Sequence, residues 1–188
     1  MPAEGLKPGT WTIDSLHSFV TFSVEHMGGL AIARGLASGP TGAITVTPDI
    51  LGSSVTATID ATTVASGSKL RDGKLLGPDV LDTEHFPTID FVSSPPLREA
   101  GPDSYEVDGQ LTLHGVTRPV TLSLRFNGVI TDTWGKTRLG VTAQVTLRRD
   151  EFGAGQFGYH PLPLGGIMVP HAVAVTLDIE ATKDEEEQ

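Results

Sequence analysis

Six histidines are the side chains of this sequence best suited to acid–base or metal chemistry, and they are spread along the chain. They are His17, His26, His85, His114, His160 and His171. None forms an HExxH motif or another close pair with metal-ligand spacing, although folded strands can bring distant histidines together. Structural hydrogen bonding, polar contact with a ligand and metal binding therefore stay open as their roles. A metal-dependent hydrolase that uses them is one hypothesis for function.

Three other stretches match parts of catalytic or nucleotide-binding motifs but lack the rest. The run GAGQFG at residues 153–158 matches GxGxxG, yet Tyr159, His160 and Pro161 follow where a dinucleotide-binding fold places a helix. The run SGSK at residues 66–69 matches SxxK without the companion motifs of that chemistry. Residues 14–18 contain Asp, Ser and His, but nothing local supplies an oxyanion site. The interpretation that we favour therefore has no catalytic residue, no metal and no cofactor.

The composition limits the kinds of partner that this chain can have. Its 188 residues carry a net charge of −10, with 13 lysines and arginines in total and no cysteine. A chain without cysteine has no disulfide framework, no thiolate zinc site and no cysteine nucleophile. Nucleic-acid binding needs a basic stripe, so we expect no nucleic-acid partner.

Length and hydropathy predict one domain that does not insert stably into a membrane. No window approaches the roughly 18 consecutive apolar residues of a membrane-spanning helix. The first ten residues, MPAEGLKPGT, lack the basic and apolar regions of a signal peptide, so we expect a cytoplasmic protein. The predicted domain takes in residues 1–188, with a core of about 10–182, a short flexible N-terminus and an acidic C-terminal tail.

Alternating apolar and polar residues recur from end to end and predict about eight β-strands. In the first run, residues 11–29, the side chains of Val20, Phe22, Val24 and His26 share one face. Further runs occupy residues 42–47, 55–59, 89–91, 105–113, 120–126, 139–147 and 173–179. Successive side chains of a strand point to opposite faces, so each strand has one dry and one wet face. Eight such antiparallel strands form a barrel most economically, or else a sandwich.

One segment interrupts this alternation and predicts one or two short helices at residues 66–82. Leu70, Leu75 and Leu76 stand at loosely helical spacing, and Ser68 could cap the helix through its hydroxyl. Gly73 and the Gly-Pro pair at residues 77–78 keep the helix short. We expect this segment to pack on the sheet or to cover one end of it.

The inward face of the predicted strands admits a filled core or a lined cavity. Eight strands is the number at which either outcome occurs. Aromatic residues make up only 6% of the chain, and the inward stripes are mostly Val, Leu, Ile and Ala. These side chains fill less volume than Phe or Trp, which favours a cavity. A filled barrel that acts as a protein-interaction module is the alternative.

Five segments, taken in order, resemble the YceI-like family of lipid-binding proteins over about residues 10–182. They are IDSLHSFVTFSVEHMG (13–28), RDGKLLGPDVLD (71–82), HFPTIDFVSS (85–94), YEVDGQLTLHGVTRPVTL (105–122) and RDEFG (149–153). The resemblance implies an eight-stranded, antiparallel, lipocalin-like barrel with a helical insertion. It also implies that the barrel holds a polyisoprenoid or another long amphiphilic chain and has no shared catalytic machinery.

We therefore predict an all-β, non-catalytic protein that binds an isoprenoid or fatty-acyl lipid inside its barrel. The predicted ligand-binding residues are Val20, Phe22, Val24, His26, Ile44, Phe91, Leu111, Leu122, Leu124, Val141, Val145, His171, Val173 and Val175. The predicted contacts with the head group are His17, Arg71 and Lys74. A homodimer is compatible with the sequence, although no feature demands one.

Overall fold

The strands of this protein belong to one antiparallel sheet in the computed structural model, which describes residues 5–183. The strands are β1 (Gly9–Ile13), β2 (Phe19–His26), β3 (Ala31–Ala37), β4 (Thr41–Val46), β5 (Ser54–Asp60), β6 (Thr88–Ser93), β7 (Arg98–Gly101), β8 (Ser104–Leu113), β9 (Val116–Thr131), β10 (Thr137–Arg148) and β11 (Ala172–Lys183). The α-helix α1 (Lys69–Leu76) and the short 3-10 helices Ile50–Gly52, Ala61–Thr63 and Arg149–Phe152 lie between them.

The sheet closes into a barrel of eight long strands, because two of these strands are each interrupted once. β1 and β2 are the halves of one strand, and β3 and β4 are the halves of the next. β5, β6, β8, β9, β10 and β11 follow in order, and β11 pairs with both β1 and β2 to close the ring. The predicted eight-stranded antiparallel barrel with an inserted helix is thus confirmed. The alternation did not predict β3 or the short β7, which pairs only with β8.

The two strand interruptions pack against each other. Ser18 is buried at the end of the first break. Its hydroxyl donates a hydrogen bond to the carbonyl of Glu180 on β11 at 3.2 Å and accepts one from the Glu180 N–H at 3.1 Å. A Cβ at Gly39, in the second break, would lie 2.3 Å from the carbonyl oxygens of Ser15 and Ser18. Only glycine therefore allows the two breaks to approach this closely.

One end of the barrel is closed by a hydrophobic cluster. Trp11 is completely buried there and packs with Tyr105 and Leu139. Ile50 and Leu51, from the first 3-10 helix, pack against this cluster. The indole N–H of Trp11 donates to the carbonyl of Lys7 at 3.1 Å, so the buried polar atom of the ring is satisfied.

The inserted helix α1 lies at the other end of the barrel, where β2, β5, β8 and β10 finish. Leu75 and Leu76 pack against a cluster formed by Val20 and its neighbours inside the barrel wall. The prediction that the Ser68 hydroxyl caps this helix is wrong, because Ser68 occupies the cap position without a side-chain bond. Within residues 5–183, no helix has the length and apolar character needed to cross a membrane.

Candidate functional site

A cavity of about 1100 Å³ occupies the inside of the barrel. All of the predicted wall residues except His171 line it. Those residues are Val20, Phe22, Val24, His26, Ile44, Phe91, Leu111, Leu122, Leu124, Val141, Val145, Val173 and Val175. Their contact with a ligand stays a prediction, but their positions follow from the two-residue period of strands.

The pairing register explains why these side chains form a continuous wall. Residues that stand opposite each other in neighbouring strands point to the same face of a sheet. Val175 of β11 stands opposite Phe22 of β2, and Phe91 of β6 stands opposite Leu111 of β8. Apolar faces of successive strands therefore meet across each hydrogen-bonded pair, and the wall is apolar around the ring.

Two buried serines deep in the barrel accept hydrogen bonds from the backbone. The hydroxyl of Ser53 accepts a hydrogen bond from the N–H of Thr47 at 3.1 Å, and that of Ser93 accepts one from the N–H of Val55 at 2.7 Å. Both serines line the cavity near its closed end. Each of these hydroxyls already has a backbone partner, and the lining around them is apolar, so the deep part suits an apolar chain.

The cavity opens at the end of the barrel that carries α1. Every exposed residue among those lining the cavity belongs to this end, which we call the mouth; the set is Ala31, Ile32, Arg34, Leu70, Arg71, Lys74, Asp79, Gln156 and His160. The lining residues from the closed end are buried or half-buried in the described part of the chain. The cavity is therefore a blind tunnel with one mouth.

Three cations line the mouth. Arg71 and Lys74 of α1 lie at the edge of the cavity, as expected for head-group contacts, and Arg34 of β3 joins them. Of the ion pairs found among residues 5–183, none involves these three side chains. Arg71 and Lys74 were predicted from their place in the helical segment, whereas Arg34 was missed because the alternation did not predict its strand. The lining of the mouth thus carries three positive charges against the one carboxylate of Asp79, and none of the three cations is paired with a carboxylate among the described residues.

Two arginines away from the mouth are paired with carboxylates, unlike the three cations of the mouth. Arg138, near the closed end, donates to Asp132 and to Asp14 at 2.7 Å each. The hydrogen bond from Arg138, aided by His17, lowers the pKa of Asp14 to about 2. Arg98, on β7, is held in the same way by Glu106 and Asp108. These arginines are paired with carboxylates, whereas Arg71 at the mouth bonds the hydroxyl and the carbonyl of Ser66 and Arg34 bonds the carbonyl of Ile32.

A further arginine, Arg149, is buried in the cavity wall near the mouth. It donates to the carbonyls of Ala154, Val169 and Pro170 at 3.0 to 3.2 Å. Burial lowers its pKa. The guanidinium thereby ties both ends of the loop at residues 153–171 to the barrel. The segment RDEFG (149–153) begins at this arginine and leaves out Arg148, which is exposed, but the alternation alone gave Arg149 no role.

The structure corrects the predicted placement of His171 and His17. His171 precedes β11 outside the cavity lining, stacks on Tyr159 with ring centroids 3.8 Å apart, and lies 4.0 Å from Asp150. The backbone carbonyl of His171 accepts a hydrogen bond from the backbone N–H of Arg149 in a bend before β11, so the alternation of β11 does not extend to this histidine. His17 lies in the break between β1 and β2, where its ring bonds Asp14 at 2.9 Å, and it does not line the cavity.

The remaining histidines are also far from forming one cluster. His26 and His160 line the cavity at its mouth. His85 bonds Asp82, which raises the pKa of this histidine, and His114 bonds the carbonyl of Phe152. Across residues 5–183, no three His, Cys, Asp or Glu side chains converge in a way that could hold a metal ion. The hydrolase hypothesis gains no support from this arrangement.

Comparison with known proteins gives consistent matches over most of the chain. The model of the YceI-like domain family matches residues 11–181. A UPF0312 protein of Pseudomonas putida strain W619 is 31% identical over 167 residues, which cover 87% of this chain and 78% of the relative.

Solved structures share the fold at lower sequence identity. BcnA of Burkholderia cenocepacia has a TM-score of 0.75 and 22% identity, with 90% of this chain and 99% of BcnA covered. A polyisoprenoid binding domain from Saccharophagus degradans, implicated in plant cell wall breakdown, has a TM-score of 0.68 and 14% identity, with 95% and 100% covered.

Proposed function

The chain belongs to the YceI-like family, and from this premise we propose that it is a non-catalytic protein that holds a polyisoprenoid or other long-chain amphiphilic lipid in its barrel. The observation that carries the proposal is the blind apolar tunnel of about 1100 Å³. This volume slightly exceeds the roughly 300–1,000 Å³ of ordinary small-molecule sites. A barrel packed solid as an interaction module would not contain such a space.

The energetics favour a ligand with a long hydrocarbon chain. Each methylene group removed from water contributes about 0.8 kcal/mol. Association and ordering cost roughly 4–15 kcal/mol, so a chain of about ten carbons or more is needed for useful affinity. The described residues that line the tunnel are mostly apolar, and chain length is therefore the main determinant of affinity.

The charge at the mouth orients the ligand. The tail extends toward the closed end, beside Phe126 and Leu139, where the wall is apolar. The head group stays at the mouth beside Arg34, Arg71 and Lys74. An anionic head, such as a phosphate or carboxylate, suits these three cations best. The isoprenoid class gains support from the Saccharophagus degradans domain, which shares the fold and is described as binding a polyisoprenoid.

The test is to identify the occupant of the barrel. Protein purified from cells is extracted with organic solvent, and the extract is analysed by mass spectrometry. Delipidated protein is then titrated with fluorescent amphiphiles that share one head group and differ in chain length. We expect a stoichiometric lipid in the extract and affinity that rises with chain length. Absence of lipid from the extract, together with no binding of the longest probe, would refute the proposal. The cytoplasmic location stays a prediction, which cell fractionation tests.

A further inference from the structure

Two glycine-rich turns lie side by side at the mouth. One is the β2–β3 turn at residues 27–30, MGGL, and the other is the turn at residues 164–167, LGGI. The N–H of Met27 donates to the carbonyl of Met168 at 2.7 Å, and a second backbone bond from the same turn reaches the other turn at 3.1 Å. Met168 itself lines the cavity, so the paired turns form part of the rim.

Each turn presents a leucine to solvent. Leu30 is 86% exposed, and Leu164 is fully exposed. On the helix that borders the same mouth, Leu70 is 82% exposed. None of these leucines contributes to the hydrophobic clusters that stabilise the barrel. Exposed apolar side chains grouped around an opening mark an interaction surface rather than a packing defect.

The charge of α1 indicates what this surface contacts. Lys69, Arg71 and Lys74 belong to this short helix, and its one acidic residue, Asp72, accepts hydrogen bonds from Ser66. The chain as a whole has a net charge of −10, which repels anionic surfaces at long range. That repulsion is screened beyond about 8 Å in physiological salt, so the local cations decide a close approach. The carboxylate of Glu25 lies beside the first turn, so the positive charge of the rim is that of α1. A rim that carries apolar tips on its turns and cations on α1 complements a membrane interface that contains anionic lipids.

We propose that the mouth docks on a lipid bilayer, with Leu30 and Leu164 inserted among the acyl chains and α1 over the head groups. This inference rests on the proposed function, because a tunnel for lipids gains from an opening that faces their source. Docking lets a lipid slide between bilayer and cavity with its tail shielded from water throughout. The cavity mouth lies within the leucine-bearing rim, which is why we favour a bilayer over a protein partner.

Vesicle flotation tests this docking. The probe is a vesicle of phosphatidylcholine with a minor fraction of phosphatidylglycerol, mixed with delipidated protein. The double variant Leu30→Ser/Leu164→Ser removes both apolar tips without changing a residue that lines the cavity. We expect its partition into vesicles to fall about tenfold, because two partly inserted leucines are lost. Lys69→Glu should also weaken partition, and more so in vesicles that contain phosphatidylglycerol.

The matched control is Trp134→Ser. Trp134 is 83% exposed and stands in the β9–β10 turn, at the closed end of the barrel. The Trp134→Ser variant should partition into vesicles as the wild type does if the mouth is the docking surface. Equal losses for Trp134→Ser and the double variant would overturn the proposal, as would failure of the wild-type protein to float with vesicles.

A solution assay separates this inference from the function on which it rests. Binding of a fluorescent long-chain probe without vesicles should be the same for the wild type and the double variant. If neither binds the probe, the proposed function fails. If both bind the probe but neither binds vesicles, docking alone fails. Sedimentation that shows a dimer of the wild type, lost in the double variant, would assign the leucines to a second copy of the chain and overturn bilayer docking.

Discussion

Gly39 faces Ser18 so closely that a Cβ on Gly39 would lie 2.3 Å from the Ser18 carbonyl oxygen. The contact joins the two points at which the first strands of the barrel are broken. Ser18 in turn bonds the backbone of Glu180 on β11, so the same place connects the first and last strands. The closure of the barrel therefore depends on a glycine that has no role in the cavity.

Gly39→Ala is expected to destabilise the protein by about 2–3 kcal/mol, since the clash is with rigid backbone atoms and not with a flexible side chain. The control is Gly73→Ala, on the exposed face of α1, where a Cβ meets no atom within 4 Å. That change should be neutral or stabilise by up to about 1 kcal/mol, because alanine favours the helix. Urea denaturation monitored by circular dichroism measures both. Equal stability of the two variants would show that the contact is not tight.

Ala143→Phe is expected to block the tunnel. Ala143 lies on β10, lines the cavity and stands opposite Leu124 and Leu177, so a phenyl ring there occupies space that the tail needs. Affinity for a long-chain probe should fall at least about tenfold, the loss expected when two or more methylene groups are displaced. Gln144→Phe adds the same ring at the next, exposed position and should leave affinity unchanged. Fluorescence titration gives both affinities. An equal loss of affinity in the Ala143→Phe and Gln144→Phe variants would contradict binding inside the barrel.

Arg34→Glu combined with Lys74→Glu is expected to weaken binding of an anionic amphiphile selectively. Both side chains line the mouth, and partly solvated charge pairs contribute up to about 1 kcal/mol each, so a loss of about tenfold or more follows from reversing both. The neutral alcohol of the same chain length should bind as before. Arg125→Glu, at an exposed outward position of β9 toward the closed end, is the control for net charge. A similar loss for the alcohol would place the head group elsewhere.

The ion pair at the closed end predicts a pH dependence of stability. The hydrogen bond from Arg138 lowers the pKa of Asp14 from 3.8 to about 2 in the folded state. A carboxylate with a lowered pKa contributes stability that is present above its unfolded pKa and is lost as pH falls through the folded value. Unfolding free energy should therefore drop between about pH 4 and pH 2, by roughly 1–2 kcal/mol from this group.

Asp14→Asn isolates that contribution. The variant should be less stable than the wild type at pH 7, and the difference should shrink as the pH approaches 2. Glu99→Gln removes an exposed carboxylate on β7, and its unfolding free energy should change with pH in the same way as that of the wild type. Urea denaturation at each pH gives the comparison. A constant difference across the whole range would mean that the ionised carboxylate of Asp14 does not stabilise the fold.

The alternation of side chains predicted the wall of the cavity because it is a local property. Two-residue periodicity decides which face a side chain takes, whatever the strand later pairs with. Val141, Val145 and Val175 could therefore be assigned to the inside from the residues around them. The same reasoning failed at His171, where the strand has not yet begun. It also failed at Arg34, whose strand alternates small residues with Ile32 and Leu36 instead of apolar with polar residues.

The sequence by itself thus determined most of the strands, the apolar wall and the family of the chain, all of which depend on neighbouring residues or on ordered motifs. Only the tertiary structure decided that the barrel closes through β1 and β11, that Trp11 seals one end, and that the mouth gathers Arg34 with Arg71. These features join residues far apart in the chain. Pairing register and close backbone approach, as at Gly39, bring them together, and neither leaves a periodic signal in the sequence.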